Sequence, residues 1–285
     1  MQKLSRPEVT FDQVFNECVD SVGNTTQRMK YRGEIGCCTS IEAAYTASAE
    51  AGTLYTFPRT VAGRGEDPFV HGALTKSDLT KLYTSYLVPK EKPARQTYEL
   101  LMVSTFNKCP FCGGIGQVQT LDHYLPKANF PLFSVAPGNL VPCCRDCNSG
   151  KSNSFAETKE GQTLHPYFDN DKFFTQQWVF SHVEQSFPPA VTFYADPPDD
   201  WNEVEKSRAR AHFNDYDLAS RFGIEAAAEL PEIIRMKQYM RDLSPTTFSE
   251  LLQEKSGFVA MPINNWRRVL YSGLAADTWF CDQAF

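Results

Sequence analysis

The sequence lacks any run approaching the ~18 uninterrupted apolar residues that a membrane helix needs. Its opening, Met1-Gln2-Lys3-Leu4-Ser5-Arg6-Pro7, has no apolar signal-peptide core. These absences predict a cytoplasmic protein with no membrane partner. No GxxxxGK[ST] phosphate loop occurs, so any nucleotide control has to come from another chain. Internal repeats and low-complexity tails are also missing. Positive charge is in deficit, with 28 Lys and Arg against 34 Asp and Glu and a net charge of −6. What remains is 285 residues, more than the ~150 typical of one domain, and ample chain for a core.

The deficit is unevenly spread. Residues 1–80 carry 8 basic and 10 acidic side chains, residues 81–154 carry 8 and 4, and residues 155–285 carry 12 and 20. The one positive segment offers Lys81, Lys90, Lys92, Arg95, Lys108, Lys127, Arg145 and Lys151 as phosphate contacts, although a solvated face has the same composition. An acidic remainder implies weak long-range steering toward nucleic acid, or a partner that supplies part of the grip.

Nine cysteines in a reducing compartment favour metal over disulfides. Cys109-Pro-Phe-Cys112 and Cys144-Arg-Asp-Cys147 are two CxxC pairs with 31 residues between them. A CxxC turn lets two thiolates converge on one ion, and two such turns close a tetrahedral structural zinc site. The intervening segment has too few apolar groups to fold by burial alone, so metal would supply much of its stability. Cys143 competes with Cys144, but only Cys144 with Cys147 keeps the two-residue spacing. A redox dithiol would require a βαβ context that the sequence does not suggest. Cys18, Cys37, Cys38 and Cys281 have no ligand spacing and read as buried packing residues.

The periodicity predicts three regions. Residues 1–107 read mostly as helix: Phe11, Val14, Phe15, Cys18 and Val19 keep helical spacing, as do Leu79, Leu82, Tyr83 and Tyr86, then Tyr98, Leu101 and Met102. A loop is expected at Ala62-Gly63-Arg64-Gly65-Glu66-Asp67-Pro68. Residues 108–155 hold the cysteine pairs. Residues 156–285 begin with two aromatic-rich runs, Trp178–Phe180 and Ala190–Tyr194, that fit a hairpin. Helices are then predicted at about 201–222, 224–241, 245–256 and 262–279. The fold class is α+β, a mainly helical body around a small β-containing insert.

Between the cysteine pairs lie Leu121-Asp122-His123-Tyr124-Leu125-Pro126-Lys127 and Asn139-Leu140-Val141-Pro142, and Asn148 and Lys151 follow the second pair. Alternation along a strand would put Asp122 and His123 on opposite pleats unless a bulge or strand end intervenes. His165 reads as a hydrogen-bonded core residue that could line a cleft. His71, His182 and His212 read as structural or surface groups, and the four tryptophans as core. Arg208, Arg210, Arg267 and Arg268 could hold phosphates or merely solvate helices.

In that order, Cys-x2-Cys, Leu-Asp-His-Tyr-Leu-Pro-Lys, Asn-Leu-Val-Pro and Cys-x2-Cys-Asn-x2-Lys, the segment 109–153 resembles the HNH endonuclease superfamily with its ββα-metal fold. It covers about a sixth of the chain. The resemblance implies a ββα module stapled by zinc on Cys109, Cys112, Cys144 and Cys147. It assigns Asp122 and Asn148 as ligands of a catalytic Mg²⁺ or Mn²⁺, His123 as general base and Asn139 as its support. It also implies phosphate contacts for Lys151 and Lys127. The start of the chain, Thr163-Leu164-His165-Pro166-Tyr167-Phe168 and Trp279-Phe280-Cys281-Asp282 resemble bacterial HNH proteins of similar length. Among these are antiphage-defence nuclease subunits of Septu-like and retron-associated systems, which pair with an ABC-type ATPase. DNA is the expected substrate. An RNA endonuclease acting on transfer RNA and a non-catalytic zinc ribbon that binds nucleic acid or protein are the alternatives.

Overall fold

A computed structural model describes the chain except residues 152–153 and 258–260. The fold is a mixed α+β arrangement, mainly helical, with three two-stranded antiparallel sheets among the described residues. Among those residues no helix is long and apolar enough to cross a membrane. The chain forms two compact units, one of residues 3–111 and 115–169, the other of residues 1–2, 112–114 and 170–285.

In the first unit, α1 (Phe11–Asp20) starts at Thr10, whose side chain caps the Gln13 amide while Gln13 caps Thr10 in return. It buries Phe11, Val14, Phe15, Cys18 and Val19, the residues whose spacing predicted it. α2 (Thr25–Arg32) and α3 (Cys38–Glu50) follow. The next stretch is not helical as expected. It holds a small hairpin, β1 (Phe69–His71) and β2 (Leu74–Thr75), turned by Gly72 at a φ of 49°. The left-handed backbone there is what asks for glycine, since a Cβ would meet only the flexible end of the Glu34 side chain, which can shift.

α4 (Lys76–Lys81) then widens into one π-helical turn over Leu82–Leu87, closed by the Val88 amide on the Tyr83 carbonyl at 3.0 Å. After α5 (Arg95–Val103) comes a hairpin of β3 (Thr120–His123) and β4 (Leu140–Cys143). Its register is regular, from Thr120 opposite Cys143 to His123 opposite Leu140. α6 (Arg145–Lys151) follows β4 at once and packs on β3, which α5 also covers. Covered this way, Leu121, Asp122 and His123 are all buried, and alternation in exposure is lost.

The second unit contains the short α7 (Lys172–Thr175) and the expected hairpin, β5 (Val179–Glu184) with β6 (Ala190–Ala195). Asn264 fixes the start of β5: its Oδ1 accepts from the Trp178 and Val179 amides at 2.8 and 3.0 Å. The helices differ from the predicted boundaries. The chain breaks between α8 (Glu203–Asp215) and α9 (Leu218–Tyr239) at Asp217, held at a φ of 48°, and not at Gly223. Phe222 packs edge-on against Phe213 and Phe193, and that burial carries α9 straight through Gly223. α10 (Pro245–Ser256) falls where the sequence placed it. The final predicted helix is two: α11 (Trp266–Ala276) starts late because Asn265 caps it, and Asp277 is extended and caps α12 (Thr278–Asp282) through the Phe280 amide.

Candidate active site and cysteine cluster

The four predicted ligands come together. The sulfurs of Cys109, Cys112, Cys144 and Cys147 lie within 4.8 Å of one another, and all four residues are buried. A tetrahedral ion with zinc–sulfur bonds of ~2.3 Å separates its sulfurs by roughly 3.8 Å, so the cluster could hold a structural zinc after a small contraction. Gly113 and Gly114, at φ of 66° and 90°, turn the chain away after the first pair. In the second pair the Cys147 amide points at the Cys144 sulfur, 3.5 Å away. Cys143 stays outside the quartet, its thiol donating to the Cys144 carbonyl. Hydrogen bonding with Cys109 and Cys144, together with burial, holds that thiol well above the usual cysteine range. Of the other cysteines, Cys18, Cys38 and Cys281 are buried as expected, while Cys37 is only half-buried.

His123 ends β3, where the chain turns into a loop that returns to β4 at Leu140. Its Nε2 is 2.9 Å from the Ser134 carbonyl. A carbonyl only accepts, so Nε2 carries the proton and Nδ1 keeps the lone pair. The Tyr83 ring lies edge-on at 4.4 Å, and the Tyr83 hydroxyl donates to the Leu121 carbonyl. The π-helical turn thus clamps both the strand and the imidazole. Burial and then the Lys127 charge push the His123 pKa down to about 3. The ring is therefore neutral throughout the physiological range.

Asp122 is also buried. Burial raises its carboxyl above the usual range, and the Lys151 ammonium opposes that rise. Lys151 Nζ donates to Asp122 Oδ2 at 3.2 Å, to the His123 carbonyl at 2.9 Å and to the Tyr124 carbonyl at 2.6 Å. The ammonium thus faces inward onto the β3 carboxylate. Asn148, one helical turn earlier on α6, shares the face of Lys151. It is half-buried, and its side-chain amide makes no hydrogen bond to another described residue. Lys127 lies at the near end of the loop, its Nζ 5.2 Å from the Tyr83 ring centre.

Asn139 is fully buried at the far end of that loop. Its Oδ1 accepts from the Leu125 amide at 2.7 Å and the Tyr45 hydroxyl at 3.0 Å, and its Nδ2 donates to the Leu125 and Phe133 carbonyls. One side chain therefore ties both ends of the loop together, next to the Ser134 carbonyl that holds His123. His165 is a core residue, 3.3 Å from the Tyr45 hydroxyl and 4.1 Å from the Tyr124 ring centre.

Sequence reasoning missed Tyr45, Tyr83 and Ser134. Tyr83 was visible only as an apolar position in a helical pattern. Ser134 contributes a carbonyl, which leaves no trace in side-chain chemistry.

No protein-family model matches the chain, and no solved structure matches it. The chain is 38% identical over 290 residues to Protein ea31 of Escherichia phage lambda, an alignment spanning 96% of this chain and 97% of that protein. With that identity sustained over nearly the whole of both sequences, the chain belongs to the family of phage lambda Protein ea31.

Proposed function

We propose that this chain is a metal-dependent HNH-type endonuclease that hydrolyses phosphodiester bonds of DNA. The observation that carries the reading is the His123–Ser134 hydrogen bond, which fixes the imidazole with the lone pair on Nδ1, in the residue that follows the buried Asp122. The β3–β4–α6 order and the four-cysteine cluster support it, since they match the zinc-stapled ββα frame that the sequence resembles.

A phosphodiester repels hydroxide, so its hydrolysis needs a base for water and positive charge at the phosphate. His123 Nδ1 takes a proton from water, the oxygen attacks phosphorus in line, and the bond to the 3′ oxygen breaks. The products carry 5′-phosphate and 3′-hydroxyl ends. Asn139 and Tyr83 hold the base in place as its charge changes, and the bound phosphate anion favours the protonated ring. The carboxylate of Asp122 and the side-chain amide of Asn148 would be the oxygen donors for Mg²⁺ or Mn²⁺, which would neutralise the phosphate and the departing oxygen. Lys127 supplies a second positive group on the loop. The resemblance extends the proposal to an ABC-type ATPase partner, which would bring the nucleotide-binding loop that this chain lacks.

The test is an end-labelled DNA duplex incubated with Mn²⁺. Wild type should give fragments that a polymerase extends and a ligase rejoins, absent with His123→Ala. Products ending in 3′-phosphate would contradict the mechanism.

A further inference from the structure

The Lys151 ammonium has three protons and meets three oxygens, those of Asp122, His123 and Tyr124, at 2.6–3.2 Å. Its side chain and that of Asp122 are 10% and 7% exposed, so water screens the pair poorly. Nζ also lies 4.9 Å from the Tyr124 ring centre, a further site of attraction for a cation. One carboxylate and two carbonyls around a positive charge form the oxygen cradle that a hard cation prefers, and here a side chain of the same protein fills it. A lysine oriented this way is not free to contact phosphate.

Resting on the nuclease reading of Asp122, we propose that Lys151 is a resident cation that competes with the divalent ion for the Asp122 carboxylate and so sets the ion concentration at which the site loads. A divalent ion bound to Asp122 lies within a few ångströms of Nζ. Either the two charges repel at close range in a poorly screened site, or the lysine has to swing out and leave its three oxygens. Both routes weaken ion binding relative to a chain without the charge. When displaced, Nζ is free for the phosphate contact that its place on α6 suggests.

The experiment is direct Mn²⁺ binding, followed by electron paramagnetic resonance of the free ion at pH 8 in the zinc-loaded full chain. It compares wild type, Lys151→Met and Asp122→Asn. Lys151→Met keeps the aliphatic stem and should bind Mn²⁺ about tenfold more tightly or better, whereas Asp122→Asn should lose the site. Lys151→Gln, which retains hydrogen bonding without charge, replaces the methionine variant if that chain does not fold, with the same expectation. Equal or weaker Mn²⁺ binding without the lysine charge, together with loss in Asp122→Asn, would overturn the competition and leave the nuclease reading intact. Binding unaffected by Asp122→Asn, or no Mn²⁺ binding in any variant, would overturn the competition and also remove Asp122 from the proposed ion site.

Discussion

The role proposed for His123 depends on what surrounds it. A base buried against Tyr83 and held by one carbonyl is neutral and fixed in tautomer, which is the state needed to accept a proton. General-base catalysis is commonly worth ~10²–10⁴ in rate, so on the proposed mechanism His123→Ala should lose that much activity while keeping its circular dichroism spectrum and any metal held by the four cysteines. The same burial has a stability signature. The unfolded imidazole binds its proton near the ordinary 6.5, while the folded one resists until about 3. Stability from this group is therefore complete above pH ~6.5 and is lost as pH falls toward 3, by up to ~1.4 kcal/mol per pH unit. Asp122, with its raised carboxyl, acts in the opposite sense, losing stability as pH rises through the carboxylate range. Urea titrations of wild type and His123→Asn from pH 7 to 4, without added divalent ion, isolate the histidine, and the variant should show the shallower acid loss. Asn139→Ala strands the Leu125 amide and the Leu125 and Phe133 carbonyls, and should cost roughly 3 kcal/mol in the same assay.

The β3–β4–α6 element buries Leu121, Leu140 and Val141 with α5 packed on both strands, and its Cys144 and Cys147 join Cys109 and Cys112 in the quartet. Cys144→Ser should reduce bound zinc well below one per chain and lower the melting temperature, whereas Cys143→Ser should keep the metal, as read by elemental analysis of the purified proteins. Here the sequence was most legible, because ligand spacing is local: the four cysteines that two CxxC turns select are the four that converge. The β5–β6 hairpin was legible for a similar reason, from apolar runs parted by a turn. Other features depended on distant partners. Gly223 looked like a helix boundary, yet Phe222 packs on Phe213 and Phe193 and the helix continues through it. Asp122 and His123 alternate along a regular strand pairing as the sequence suggests, yet both are buried, each against its own polar partner, Lys151 and the Ser134 carbonyl. Tyr45 reaches Asn139 across 94 residues, beyond anything that spacing can reveal.

Taken as a whole, the molecule has little positive charge with which to attract nucleic acid. Only residues 81–154 are net basic, by four, and in that segment Lys151 is already paired with Asp122. Seven basic side chains of that segment other than Lys151 are left, so binding of His123→Ala to duplex DNA should weaken with salt at a logarithmic slope no steeper than about −6, measured by fluorescence anisotropy. A much steeper slope would point to basic surface contributed from outside this segment. Strand cleavage itself decides whether this site is a nuclease. Purified wild type, with Mg²⁺ or Mn²⁺, is incubated with supercoiled plasmid and in parallel with total RNA, beside His123→Ala and an EDTA control. Nicked and linear plasmid are expected with wild type alone. An intact plasmid with degraded RNA would move the same site to an RNA substrate, and equal cleavage by wild type and His123→Ala would contradict the account.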